Sequence, residues 1–310
     1  MSPRSRVQSP RPSPKPKIQN PKSLHLSNPS KVFWPDEGYM KLDLARFYDM
    51  VFPKLRPYVK DRLLSLERCP DGLKRDCFIQ KEMPPGMPDD TPTKRIAHEK
   101  GMTNYVVGGK LETQLALVNL GCIAVHVWGA RAGSPRKPDW VCFDVDPSSG
   151  KFADAARAAV KIKDALDALK LVSFPKTSGK KGLHVFIPIR VGPDADDARE
   201  FAGILGNRLA AAYPDEITME GRIAARKGRV YLDPFRNGFA QTVVSPFSVR
   251  HNPRAPVSTP LSWKEVTPKL DPGDFNLGNF AKRLAGADPW EDFFASRQDL
   301  KPAIKAVRRL

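Results

Sequence analysis

Apolar residues recur along this chain with two alternating periods. Leu42, Ala45, Tyr48, Phe52 and Leu55 return at three- and four-residue steps, which predicts a helix with one face on a core. Leu111, Leu115 and Val118 repeat that spacing, and Gly121 can end the helix. CIAVHVW at 122–128 alternates as a strand does, and VCFDVD at 141–146 follows after a loop of Gly, Pro and Arg. Phe152, Ala156, Ala159, Leu166 and Leu169 mark a helix behind Ser148, Ser149 and Gly150. LHVFIPI at 183–189 is a further strand. Ala198, Phe201, Leu205, Leu209 and Ala212 mark a helix, with Asp194, Asp196 and Asp197 near the end where its dipole favours acids. RVYLD at 229–233 and QTVVS at 241–245 are short strands, and the Pro-rich stretch from Met83 to Pro92 is a loop. After about residue 270 the pattern weakens into short helical pieces, so that part is expected to be peripheral. No internal repeat is present, and the mixture predicts an α/β or α+β domain with a mixed sheet.

Composition sharpens this in three ways. The 310 residues suffice for one large domain or two small ones, and 41% hydrophobic content allows a sizeable core. Lys and Arg number 51 against 34 Asp and Glu, a net charge of +17, which points to a polyanion, nucleic acid first and an acidic membrane surface second. No apolar run approaches the roughly 18 residues a spanning helix needs. Residues 1–23 hold six prolines, six basic residues and no acid, and are expected to be a disordered basic tail without a secretory core. Without the tail the formal charge is still about +11. The cysteines are Cys69, Cys77, Cys122 and Cys142. None forms a C-x-x-C pair, so zinc is not expected. Cys122 and Cys142 sit in apolar runs and read as core; disulfides are not needed at this size, and a reducing cytosol fits.

Candidate chemistry begins with Asp144 and Asp146, which interrupt a buried strand. Two residues apart, they point to one face and repel unless something positive lies between them. Carboxylate oxygens suit Mg²⁺ or Mn²⁺, and Asp233 at the end of another strand can complete the set. Two such ions, sharing ligands, stabilise attacking and leaving oxygens in phosphoryl transfer. The plain alternative is a strand-edge pair bonded to Lys or Arg. KTSGKKGLH at 176–184 adds glycines at 179 and 182 for a tight turn, with Ser178, Lys180 and Lys181 beside it and His184 emerging on the strand. It lacks the spacing of a Walker A loop. His126 and Trp128 share a strand face, either as a satisfied core histidine beside a packed ring or as groups near a nucleotide base.

The order D-V-D-P, T-S-G-x-K-G-L-H and Y-L-D resembles the three motifs of the archaeo-eukaryotic primase superfamily. More narrowly, the chain is similar to the polymerase domain of bacterial ligase D, the primase–polymerase of non-homologous end joining. The likeness runs from about Leu26 to about Val266, through LSNPSKVFWP, LERCPDG, FIQKEMP, HVW, PDWVCFDVDP, TSGKKGLH, YLDPFRN, VSPFSVR and VSTPLSW. It implies an α+β fold: a primase-like catalytic core of mixed sheets flanked by helices, forming one domain over 24–310. It implies metal ligation and catalysis by Asp144, Asp146 and Asp233. Ser178, Lys181, His184 and Arg250 match residues around the incoming nucleotide, with His126 beside them. Asn28, Lys31 and Lys41 match a pocket for the 5′-phosphate of a downstream strand, Phe78 an aromatic stacking on the template, and Arg226 a loop that meets a primer from the other DNA end. Cys77 stands where some relatives carry a second aromatic, and Lys180 adds charge to the turn. There is no K-x-D-G ligase signature, so a stand-alone polymerase or an excised domain is expected.

The function so implied is template-directed nucleotidyl transfer into short gaps at DNA breaks, with two Mn²⁺ or Mg²⁺ ions and a preference for ribonucleotides. Gapped or broken DNA, nucleoside triphosphates, bacterial Ku and a separate or fused DNA ligase are the implied partners, in the cytoplasm at the nucleoid. Two other readings stay open: a two-metal nuclease, and a non-catalytic protein that binds DNA ends.

Overall fold

A computed structural model describes residues 26–99 and 101–309; the expected tail at 1–23 lies outside the described residues. Its centre is β8 (Trp140–Pro147), which pairs with β10 (Leu183–Pro188) on one side and β12 (Val230–Asp233) on the other. β9 (Phe174–Thr177) and β11 (Ile217–Thr218) complete a five-stranded mixed sheet in the order β11-β12-β8-β10-β9. Only β11 and β12 run parallel. Strand alternation sorts β8 by face. Val141, Phe143 and Val145 join Val185 and Ile187 in a core covered by α3 (Phe152–Ala168) and α4 (Ala195–Ala212). Cys142, Asp144 and Asp146 take the opposite face. Asp194 caps α4, accepting from the backbone N–H of Asp196 and Asp197.

A second sheet runs β13-β7-β3-β4, from β13 (Thr242–Val244), β7 (Cys122–Trp128), β3 (Leu64–Arg68) and β4 (Phe78–Gln80). Ile123, Val125 and Val127 pack with α1 (Lys41–Val59) in a core that also takes Trp140, Cys142 and Phe186 from the first sheet. α2 (Leu111–Asn119) closes the same core. The architecture is α+β, as the motifs implied. The periodic helices and strands stand within a few residues of their expected ends. A hairpin of β5 (Thr93–His98) and β6 (Gly101–Val106), and the pair β1 (Val32–Trp34) and β2 (Tyr39–Met40), had no clear signal. β5 is mostly exposed and so shows no alternation.

A buried ion pair ties the sheets together. Arg62 and Asp139 are both almost wholly buried and bonded to each other. Arg62 also donates to the carbonyls of Trp128 and Gly129 at 3.1 and 2.8 Å, and its guanidinium lies 3.4 Å from the centre of the Trp140 ring.

Two expectations are corrected. The segment after residue 270 is not merely peripheral. Trp290 and Phe293 are buried, stack at 4.8 Å between ring centres, and reach Phe186 of the central sheet. α6 (Lys301–Arg309) buries Ala303, Ile304 and Val307. Large rings can anchor an irregular segment without any period. Cys69 and Cys77 form a disulfide, where no staple was expected. Protein size does not demand it; the turn between β3 and β4 brings their Cα atoms to 4.4 Å, within bridging range. Cys122 and Cys142 are free and buried, as core residues.

Candidate active site

Strand register assembles the acidic group. Asp233 lies opposite Asp144 across β12 and β8, and His184 lies opposite Asp144 across β10 and β8. Asp146 follows two residues along the same face. Asn237 clamps the turn after Asp233: its side chain accepts from the Cys142 N–H at 2.8 Å and donates to the Cys142 carbonyl at 2.9 Å. The three carboxylates line one cavity of about 710 Å³ between the two sheets, opposite His126 and β13.

Basic side chains answer these acids, as the plain reading of the D-x-D pair required. Arg236 lies 3.2 Å from Asp144 and 3.1 Å from Asp233. Arg226 donates to Asp146 at 2.9 Å, and Lys181 stands 3.3 Å from the other oxygen of that carboxylate. Burial would raise the Asp144 carboxyl; His184 and the Arg236 guanidinium reverse this and hold it at about 2. Burial and Lys176 push His184 itself down to about 4, so at neutral pH its ring is uncharged. Arg236 is therefore the lasting charge beside Asp144. Burial raises the Asp233 carboxyl, and the Asp144 charge adds to the rise. Two neighbouring acids thus have separated affinities for a proton, as expected of like charges sharing a site.

Among the described residues no three acidic, His or Cys groups are already drawn together as a metal centre. The donor chemistry nevertheless fits a divalent cation. The three carboxylates face one open cavity, and of the groups that now balance them Arg236 and Lys181 are each about two-fifths or more exposed and can withdraw, while Arg226 is buried beside Asp146.

The turn at 178–182 forms the adjoining wall. Ser178 Oγ accepts from the N–H groups of Lys180 and Gly182 at 3.2 and 3.1 Å, which holds the turn closed. Gly179 has φ +73°, and a Cβ there would sit 2.5 Å from Arg250 Cγ. Only glycine lets the turn approach the buried Arg250 so closely. Lys180, Lys181, His184, Arg250 and His126 all line the cavity. The structure thus brings Asp144, Asp146, Asp233, Ser178, Lys181, His184, Arg250 and His126 together.

Asn28, Lys31, Lys41 and Phe78 stand apart from that cavity. Lys31 N–H bonds the Asn28 carbonyl, and Lys31 Nζ pairs with Asp71 at 2.8 Å. Lys41 is buried and donates to the carbonyls of Ser27 and Asn119, both at 2.8 Å. Burial and the neighbouring Lys31 charge lower its ammonium. Asn28, Lys31 and Lys41 therefore do meet, at the start of α1. Phe78 is 47% exposed at the start of β4, available as a stacking surface rather than buried in the core. Arg226, in the turn that precedes β12, does line the cavity. Its side chain is turned inward and buried, donating to Asp146 and to the carbonyls of Glu220 and Gly221, because the carboxylate is the nearest anion. Ile223, in the same turn, faces out.

Two site residues escaped the sequence reading. Arg236 stands three positions after Asp233, a spacing that could have flagged it. Glu67 is an acid inside a buried strand, the same anomaly that exposed Asp144.

Comparison with known proteins agrees with this geometry. The family model for "LigD, primase-polymerase domain" matches residues 40–290. The bifunctional non-homologous end joining protein LigD of Bacillus subtilis is 30% identical over 281 residues, 89% of this chain and 45% of that protein. The multifunctional LigD of Pseudomonas aeruginosa is 28% identical over 293 residues, 91% of this chain and 34% of that protein. The chain thus spans between about a third and a half of these relatives. A solved polymerase domain of Mycobacterium tuberculosis ligase D in complex with DNA is similar at a TM-score of 0.82 and 27% identity, covering 89% of this chain and 99% of that one. With a family match over most of its length, and acids and bases gathered in one cleft of the matching fold, this chain belongs to the LigD primase-polymerase domain family, whose chemistry is nucleotidyl transfer.

Proposed function

We propose that this chain fills short gaps at DNA breaks during non-homologous end joining, by template-directed transfer of nucleotides, preferably ribonucleotides. One observation carries the reading: Asp144, Asp146 and Asp233 meet on two paired strands, across a cavity from a basic, glycine-permitted turn. Carboxylates facing phosphate-binding groups at that spacing suit phosphoryl transfer.

Asp144, Asp146 and Asp233 would hold two divalent ions, Mn²⁺ or Mg²⁺, which when bound lower the pKa of a primer 3′-hydroxyl and neutralise the triphosphate. Lys181 and Arg250 supply fixed positive charge toward the β- and γ-phosphates. His184 is uncharged and offers a hydrogen bond rather than charge. Ser178 acts by holding the turn. Arg236, which pairs with Asp144 and Asp233, and Arg226, which pairs with Asp146, offset the negative charge of the group when no cation is bound. No protein nucleophile is needed, because the primer supplies it.

A labelled primer on a gapped duplex, incubated with Mn²⁺ and either ribo- or deoxyribonucleotides, tests this. Growth by one or a few nucleotides, faster with ribonucleotides, is the expected result. Shortening of the primer would mean a nuclease instead, and an unchanged primer under all conditions would leave only end binding.

Lys31 and Lys41, with Asn28, are the proposed seat of the downstream 5′-phosphate, and Phe78 the surface under the template. Charge-assisted hydrogen bonds of about 1.5–3 kcal/mol predict a preference of roughly tenfold to hundredfold for a phosphorylated gap. Replacing Lys31 and Lys41 together with Gln is expected to remove it. Fluorescence anisotropy with matched gapped duplexes measures this; an unchanged ratio would reject the assignment. Bacterial Ku and a DNA ligase are the partners this role calls for.

A further inference from the structure

Glu67 has no part in the chemistry described so far, yet it sits behind much of the cavity wall. It lies on β3, on the face shared with Ser65 and, across β7, with Ala124 and His126. Its side chain is only 6% exposed and does not line the cavity. Its Oε2 lies 3.4 Å from Arg250 Nη2 and 3.5 Å from His126 Nε2, and its Oε1 lies 2.5 Å from His251 Nδ1. His251 in turn stands 3.5 Å from Lys180 Nζ. Three groups on the cavity wall, Arg250, His126 and Lys180, are thus linked through one hidden carboxylate.

We propose that Glu67 is a positioning residue for the incoming nucleotide: it fixes Arg250 and His126, and through His251 Lys180, as groups facing the triphosphate, and acts on the nucleotide only through them. This rests on the nucleotidyltransferase reading above.

The argument is one of charge and burial. A buried carboxylate is tolerated only when it is paired, and Glu67 is surrounded by donors. Burial alone would raise its carboxyl, but His126, His251 and Arg250 hold it well below the usual carboxylate range. Burial lowers His126 to about 4, whereas the Arg250 guanidinium keeps its charge. The dependence is mutual, since Arg250 is also buried and needs an anion. The other carboxylate whose field reaches Arg250 is Asp144. Without Glu67, Arg250 is drawn toward the acidic group and away from the turn at Gly179 against which it packs. The loss would fall on triphosphate recognition and spare the DNA contacts around Lys31 and Phe78.

A double-mutant cycle on single-nucleotide incorporation into a gapped duplex tests this. Glu67→Gln keeps the shape and removes the charge. It is expected to lower kcat/KM for the nucleotide about tenfold, mainly through KM, with KM for the gapped duplex unchanged. Arg250→Ala is expected to cost about a hundredfold, and the double variant no more than Arg250→Ala alone. Glu67→Asp, which keeps the charge one methylene short, should recover part of the loss. Effects that multiply, or a Gln variant with unchanged nucleotide KM, would overturn the assignment. If Glu67→Gln does not fold, the same cycle is run with Glu67→Asp; a coupled loss supports the assignment, and an additive loss or none overturns it. A wild-type protein that never extends a primer would remove the polymerase reading and this inference with it. A wild-type protein that extends, with variants that act independently, removes this inference alone.

Discussion

Asp144→Ala is expected to slow nucleotide incorporation by about a thousandfold, or ~4 kcal/mol of transition-state stabilisation, while binding of gapped DNA stays equal or tightens. Asp144 holds the centre of the register, with Asp233 on one neighbouring strand and His184 on the other. With Asp146 and Asp233 it is one of the carboxylates that would hold the proposed cations. Removing one preorganised neutral donor from a catalytic site typically costs 10² to 10³ in rate, and an anionic group that would hold divalent cations belongs at the upper end of that range. The substitution also releases Arg236 from Asp144, leaving it to Asp233 alone. DNA affinity should not suffer, because Asn28, Lys31, Lys41 and Phe78 lie outside this cavity and the protein becomes more positive by one charge. Single-turnover incorporation and anisotropy on the same duplex measure the two quantities. Incorporation within tenfold of wild type would remove Asp144 from the chemistry; equal loss of binding and incorporation would make it a structural residue.

Asp139→Ala is expected to lower folding stability by about 3–5 kcal/mol, the cost of leaving a buried charge without its partner. Arg62 has no route to water, being 0% exposed, and its other contacts are the Trp128 and Gly129 carbonyls and the face of Trp140. Asp139 also receives hydrogen bonds from Arg131 at 2.9 Å and Arg297 at 3.5 Å, so three guanidinium groups lose their anion together. The site lies where the end of β7 meets the start of β8, the seam between the sheets that enclose the cavity. Urea unfolding should show the loss as a lower midpoint at a similar slope. Replacing the pair together, Arg62→Met with Asp139→Leu, should be less damaging than Asp139→Ala, because no buried charge is then left over. A loss below about 1 kcal/mol for Asp139→Ala would show that Arg62 finds other compensation.

The elements that hold the chemistry were legible because their signals are local. β8 alternates apolar and acidic residues, and the strand period alone places Asp144 and Asp146 on one face. α1, α3 and α4 announce themselves by helical spacing, and the need for glycine near the Ser178 turn follows from its composition. Arg226 and Arg236 were harder. An arginine in a turn carries no mark of which acid it will meet, and Arg226 reaches Asp146 from 80 residues away. Glu67, Trp290 and Phe293 left no periodic trace, since one buried acid or a few large rings do not make a pattern. Cys69 and Cys77 gave no hint of pairing, because the turn that joins them is set by the β3–β4 register.

By itself the sequence determined the alternation of strands and helices, the basic character of the chain, and an acidic pair that could not stay unanswered in a buried strand. Those follow from backbone periods and from the cost of burying charge, which act over a few residues. Only the tertiary structure decided that Asp233 stands opposite Asp144, that Arg226 and Arg236 pair with the carboxylates, and that Glu67 stands behind Arg250. Such pairings depend on strand register and sheet-on-sheet packing, which bring together side chains that local propensity never relates.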